Sequence, residues 1–193
     1  MKIGRLLLRI TVGSLFFGHG TQKLFGLFGG HGLDATANMF ESLGMRPGRR
    51  NAIAAGVAEA GGGAALAAGF ATPLAAATLT SVMLTAINRV HLKNGPWVTN
   101  GGYEYNAVLI AAVIALAEVG PGDLSLDHAL GTERSGPAWA LLALAAGAAG
   151  AAGAHYLAES HPVPAAPAAP APDASANGDA SAPTATEEAG ATQ

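Results

Sequence analysis

The chain has 193 residues, of which 50% are hydrophobic and 12% are charged, and its formal net charge is −3. Soluble domains carry about 25% charged residues, so this composition excludes an ordinary soluble globule and predicts an integral membrane protein. The absence of cysteine excludes disulfides, thiolate nucleophiles and cysteine-held iron–sulfur clusters. No basic run of the kind that binds nucleic acid is present, so no nucleic acid partner is expected.

Five apolar stretches predict transmembrane helices, because a span needs about 20 mostly apolar residues. The first four predict an all-α fold, an integral membrane four-helix bundle within residues 1–122. A connecting loop at 123–136 leads to the fifth stretch, 137–158, which predicts a further transmembrane helix. The helices of the bundle are predicted at residues 6–28, 51–70, 73–92 and 105–119.

Two other segments have compositions of their own. The segment DATANMFESLG, which begins at Asp34, predicts a short helix on the membrane surface with Asp34 as its N-cap. Residues 159–193 are rich in Pro and Ala and contain no aromatic residue, Lys or Arg. Such a segment buries too little apolar surface to offset its ordering entropy, which predicts a disordered C-terminal tail.

Ionisable side chains within the predicted spans indicate function, because each costs about 2.5–3.5 kcal/mol on insertion scales. Glu59 lies near the middle of the second span and cannot reach water, so we expect it to have a buried polar partner, and Arg9 is the partner that the sequence favours. The adjacent glycine run, 61–63, predicts the close approach of a neighbouring helix. The candidates for one buried polar pocket are Arg9, His19, Lys23, Glu59, His91 and Glu104.

Structural roles are the alternative interpretation of the same residues. Arg9 and Lys23 could extend towards the lipid headgroups, and Glu104 could stabilise the beginning of the fourth helix. A buried pair at Glu59 could serve only to fix the register of the helices. No metal site is predicted, because the spacing differs from the Glu-x-x-His pairs of di-iron bundles.

A series of sequence blocks gives the chain a family resemblance. Arg9 is followed by GSLFFGHGTQKLFG, and then by GVAEAGGGAALAAGFATP, NRVHLKNG and GGYEYN in that order. With these blocks, residues 3–122 resemble the DoxX family of bacterial membrane proteins. The resemblance implies a four-helix membrane domain. The family's relatives include the DoxD-type subunit of an archaeal thiosulfate:quinone oxidoreductase and mycobacterial members linked to membrane redox complexes, and its polar positions fall on the same six candidates.

Three classes of function fit these features. The first is a redox-linked membrane subunit, whose implied cofactor is a quinone, since quinone carbonyls need hydrogen bonds and quinone reduction takes up protons. The second is a non-enzymatic membrane anchor or assembly subunit, and the third is a small-solute transporter, which would be supported by inverted repeats that are not found here. We expect a multi-pass protein of the bacterial cell membrane. Its expected partners are the lipid bilayer and either a redox protein or further copies of the chain.

Overall fold

The computed structural model describes residues 2–160, and within this range the protein is all-helical and has no strand. The predicted tail, 159–193, lies outside the described residues from 161 onward, and Glu159 is the last residue of a helix. The α-helices are α1 (Ile3–Phe25), α2 (Gly32–Ser42), α3 (Gly48–Ala68), α4 (Thr72–Ala86), α5 (Glu104–Val119), α6 (Leu126–Ala129) and α7 (Pro137–Glu159). A π-helix, Ile87–His91, extends α4, and short 3₁₀ turns cover Leu27–Gly29, Leu92–Asn94 and Val98–Asn100.

Several helix termini differ from the sequence-based bounds: α3 begins at Gly48 rather than at residue 51, and the α-helical part of α4 ends at Ala86 rather than at residue 92. α1 ends at Phe25 rather than at residue 28, because Gly26 adopts a left-handed φ of 70° and its N–H bonds to the carbonyl of Gln22. α2 begins at Gly32, so the prediction of Asp34 as its N-cap is wrong, and Asp34 lies in the first turn of the helix. The carboxylate of Asp34 instead accepts a hydrogen bond of 2.6 Å from Arg49 on α3.

α1 and α3 run antiparallel with their backbones in contact at glycines. A Cβ built on Gly20 would lie 2.6 Å from the Gly56 carbonyl oxygen, and one built on Gly63 would lie 2.6 Å from the Gly13 carbonyl oxygen. Gly13 and Gly20 are seven residues apart on α1, and Gly56 and Gly63 are seven residues apart on α3. Seven residues are about two helical turns, so the two glycines of each helix lie on the same face. This close contact fixes the register that positions the polar side chains of both helices.

α4 lies at the centre of the packing and contacts α3, α5 and α7. α7 packs along α4 through small residues, with Gly147 against Thr80 and Gly150 against Ser81. α1 also contacts α5. The core shared by these helices includes Phe16, Leu66, Leu79, Val113 and Leu116.

The outer surface of the long helices is apolar. Leu74, Val108 and Leu141 have exposed fractions of 68%, 60% and 65%, and soluble monomers rarely expose apolar surface on this scale. Among the helices of the described range, α7 alone is both long and apolar enough to cross a membrane. The regular parts of α4 and α5 have 15 and 16 residues, which is shorter than a full span. A multi-pass topology therefore stays a prediction.

Asp127 ties the segment after α5 to the turn between α3 and α4. Its carboxylate, 2% exposed, accepts hydrogen bonds from the Ala71 N–H at 2.9 Å, the Thr72 N–H at 3.1 Å and the Thr72 hydroxyl at 3.0 Å. The carboxylate thus acts as an N-terminal cap for α4. Burial raises the pKa of Asp127, but the hydrogen bonds from Thr72, Ala71 and Thr132 outweigh it and hold the pKa below its usual value.

Replacing this carboxylate is expected to destabilise the fold. Asp127→Ala should lower the free energy of unfolding by about 2–3 kcal/mol, because two backbone N–H groups lose their acceptor. Since the pKa of Asp127 is lowered on folding, its contribution is fully present above the unfolded value of about 3.9 and is lost as the pH falls further. Melting temperatures in detergent at neutral pH and at about pH 3 test this. Glu118→Gln, at an exposed site, is the control, and equal melting temperatures for Asp127→Ala and wild type would contradict the prediction.

Candidate functional site

Arg9 lies at the end of the helices that is closed by the segment after α5. Its side chain donates three hydrogen bonds to backbone carbonyls: to Ala67 at 3.1 Å, to Pro121 at 2.5 Å and to Leu124 at 2.5 Å. The residue is 3% exposed, so it does not extend to the lipid headgroups. The predicted pairing of Arg9 with Glu59 is wrong. The register of α1 and α3 places Arg9 opposite Ala67, about 12 Å along the helix from Glu59.

The partner of Glu59 is Lys23, which α1 carries near its C-terminal end. The Lys23 Nζ atom lies 2.5 Å from Glu59 Oε2, and the two side chains are 24% and 3% exposed. Lys23 therefore contacts α3 instead of extending towards the headgroups. In this setting the lysine supplies the countercharge that a nearly inaccessible carboxylate requires.

A cavity of ≈ 590 Å³ lies at the end of α1 that carries Lys23, opposite to the end that carries Arg9. Its lining includes His19, Lys23, Glu59 and His91. Arg9 and Glu104 are not part of its lining. Glu104 is exposed and lies in the first turn of α5, and its carboxylate accepts a hydrogen bond of 3.0 Å from the Val98 N–H in the preceding 3₁₀ turn rather than from the N-terminus of α5. The walls of the cavity are mostly apolar and include Phe16, Met39, Phe40, Met45, Val82 and Leu109.

Both histidines of the cavity are oriented by neighbouring oxygens. His91 Nδ1 lies 2.7 Å from the Gly101 carbonyl oxygen, which can only accept, so Nδ1 carries the proton. His19 Nδ1 lies 3.0 Å from Gln22 Oε1, and the Gln22 amide nitrogen in turn donates to the Phe28 carbonyl. In the neutral state each ring therefore has Nε2 as a hydrogen bond acceptor. Within residues 2–160, no three His, Asp or Glu side chains are grouped so that they could hold a metal ion.

Arg89 is a cavity residue that the sequence analysis did not select. It lies on the π-helix that extends α4, a kind of helix that occurs frequently at functional sites. Its Nε and Nη2 atoms are buried and have no hydrogen bond partner among the described residues. From sequence, an arginine at the end of a span is ordinarily taken as a residue that extends to the headgroups. The one sequence feature that pointed to a polar site at Arg89 was its position between two other polar residues, Asn88 and His91.

Comparison with known proteins identifies the family. The DoxX family profile matches residues 4–92. A Bacillus subtilis (strain 168) protein described as "Putative oxidoreductase CatD" is 33% identical over 126 residues, which cover 65% of this chain and 86% of the relative. The chain belongs to the DoxX family. The DoxX match contains Lys23, Glu59, Arg89 and His91, whereas α5, α6 and α7 lie beyond it. No solved structure matches the chain.

Proposed function

We propose that this DoxX protein is a multi-pass subunit of the bacterial cell membrane that binds a quinone in the cavity and works with a redox-protein partner. Its membership of a membrane-associated family and the apolar outer surface support the location. The Bacillus subtilis relative, described as "Putative oxidoreductase CatD", supports a redox function. In this proposal α1, α3, α4 and α5 form the four-helix membrane bundle, and α7 is a fifth span.

The composition of the cavity carries the proposal. Its volume of ≈ 590 Å³ falls within the range of about 300–1,000 Å³ that is typical of small-molecule sites. The apolar walls suit a quinone ring and the beginning of its isoprenoid tail. The side chains of Lys23 and Arg89 can donate hydrogen bonds to carbonyl oxygens, and His91 can do so from Nε2 when its ring is protonated.

A bound quinone would supply two-electron, two-proton redox chemistry. The chain's own contribution is to orient the ring and to hold protons near it. His91 suits the second task, because Gly101 fixes its Nδ1 and leaves Nε2 able to bind or release a proton. The electrons would come from the redox-protein partner.

Quinone binding can be measured by fluorescence, because Trp97 precedes Val98, a residue that lines the cavity. A Trp139→Phe background leaves Trp97 as the sole tryptophan of the chain. Titration of the detergent-purified protein with an alkylated 2-methyl-1,4-naphthoquinone should quench Trp97 saturably. Ala58→Phe fills part of the cavity wall and should weaken binding at least tenfold, because the ring would lose its space.

The matched control is Ala64→Phe, which places the same bulk on an exposed position of α3 that does not line the cavity. It should bind the quinone as the wild type does. Equal affinities for Ala58→Phe and wild type would contradict binding in this cavity. A wild-type protein that shows no saturable quenching, and that co-purifies with a stoichiometric partner but without quinone, would instead favour the assembly subunit.

A further inference from the structure

Arg89, a half-buried residue, differs from Arg9, the arginine that is buried in the described chain. Arg9, at the opposite end of α1 and α3, donates to three backbone carbonyls. The Nε and Nη2 atoms of Arg89 are buried and have no hydrogen bond partner within residues 2–160. The backbone supplies the acceptors of Arg9, whereas the described backbone supplies none to Nε and Nη2 of Arg89.

An unpaired guanidinium at a mostly apolar cavity is unfavourable by itself. Buried polar groups in proteins are nearly always hydrogen-bonded, and a buried charge is paired or neutralised. A Cβ built on Gly44 would lie 3.9 Å from Arg89 Nη1, so the side chain extends across to the turn that follows α2. The guanidinium therefore lies near this turn, whose residues Leu43 and Met45 line the cavity together with Arg89.

The other charges of the cavity do not compensate Arg89. Glu59 is the one carboxylate that residues 2–160 contribute to the lining, and its Oε2 accepts a hydrogen bond from Lys23. Lys23 and Arg89 are the basic side chains of the described lining other than its histidines, and Glu59 balances the charge of Lys23. An excess of positive charge remains on Arg89.

We infer that the ligand of this cavity is an apolar molecule with one acidic oxygen, whose negative charge pairs with the guanidinium of Arg89 in the cavity lining. The apolar body would lie along Phe40, Met45 and Leu109, which line the same space. For a quinone, this means that an ionised hydroxyquinone is preferred to a neutral quinone. The quinone nucleus rests on the proposed function, whereas the acidic oxygen rests on Arg89 alone.

The test compares two naphthoquinones of similar size, of which one is charged and the other neutral. The first is an alkylated 2-hydroxy-1,4-naphthoquinone, which is an anion at neutral pH, and the second is its neutral 2-methoxy ether. The wild type should bind the hydroxy compound about tenfold more tightly, as expected of hydrogen bonds to a charged group. Arg89→Gln should bind both compounds equally, and Arg89→Lys should retain part of the preference.

Arg50→Gln, at an exposed position outside the cavity, should keep the full preference. The melting temperature of Arg89→Gln should be at least that of the wild type, which shows that its loss of preference is not a loss of fold. Dodecanoate and its methyl ester serve as a second pair of probes that lacks the quinone ring.

The outcomes separate this inference from the proposed function. Equal binding of the hydroxy compound and its ether to the wild type would overturn the inference and leave quinone binding intact. An Arg89-dependent preference for dodecanoate over its ester, without binding of either naphthoquinone, would support the acidic ligand and overturn the quinone. A tenfold preference that persists in Arg89→Gln would also overturn the inference.

Discussion

Gly63→Ala is expected to push α1 away from α3 and to lower the free energy of unfolding by about 1–3 kcal/mol, the range for overpacked cores. The new Cβ would lie 2.6 Å from the Gly13 carbonyl oxygen and 2.9 Å from the Phe16 Cβ atom, and it would also collide with the Phe17 backbone nitrogen. Backbone atoms cannot move aside as a flexible side chain can, so the helices themselves must separate. The melting temperature of the detergent-purified protein should fall by several degrees.

Gly61 provides a control on the same helix. A Cβ on Gly61 would meet nothing within 4 Å, so Gly61→Ala should stabilise α3 by about 0.5–1 kcal/mol through helix propensity alone. The two alanine substitutions are two residues apart and are expected to have opposite signs. If both raised the melting temperature by the same amount, α1 and α3 would not be in backbone contact at Gly63.

The same glycines show how far the sequence determines the packing. The run 61–63 predicts that a helix approaches closely, but it does not say which glycine faces which neighbour. In the structure Gly63 faces α1, Gly62 faces Leu79 of α4 and Gly61 faces open space. α3 is rich in Ala and Gly on all sides, and a helix without a polar face gives no periodic signal of its buried side.

For the predicted pocket, too, the sequence indicated which residues take part but not which of them pair. The insertion cost of charged groups selected Glu59, Lys23, His19 and His91, all of which the structure places along one cavity. The pairing of Arg9 with Glu59 was wrong, because the acceptors of Arg9 are carbonyls of α3 and of the segment after α5. Carbonyl acceptors are present at every residue, so sequence alone cannot show which of them a buried arginine will meet.

Arg89 is a cavity residue that the sequence analysis did not select, because its sequence context is common. A basic residue in the last turn of a span is common, because it suits the helix dipole and the headgroups. What distinguishes Arg89 is the absence of acceptors for Nε and Nη2 among the described residues, a property of the packed chain rather than of any motif. The π-helix that positions Arg89 also has no simple sequence signature.

Removing the lysine of the buried ion pair should have the largest effect on stability. Lys23→Met keeps the length and the apolar stem of the side chain but leaves Glu59, 3% exposed, without its countercharge. Breaking a buried pair in this way costs about 3–5 kcal/mol, because the remaining charge is buried and uncompensated. Unfolding in detergent, followed by circular dichroism, would measure the loss. Lys93→Met, at an exposed position, should leave the stability unchanged.

The double variant Lys23→Met with Glu59→Gln separates the pair's own energy from the penalty of an orphaned carboxylate. It should recover most of the lost stability, since replacing both members of a buried pair is often nearly neutral. Lys23→Met alone also tests the cavity, because Glu59 would then be free to attract Arg89. In that variant the preference for an acidic ligand should fall, although Arg89 itself is intact. A Lys23→Met protein that is as stable as the wild type and keeps its full preference would show that the Lys23–Glu59 pair neither supports the fold nor leaves Arg89 available to a ligand.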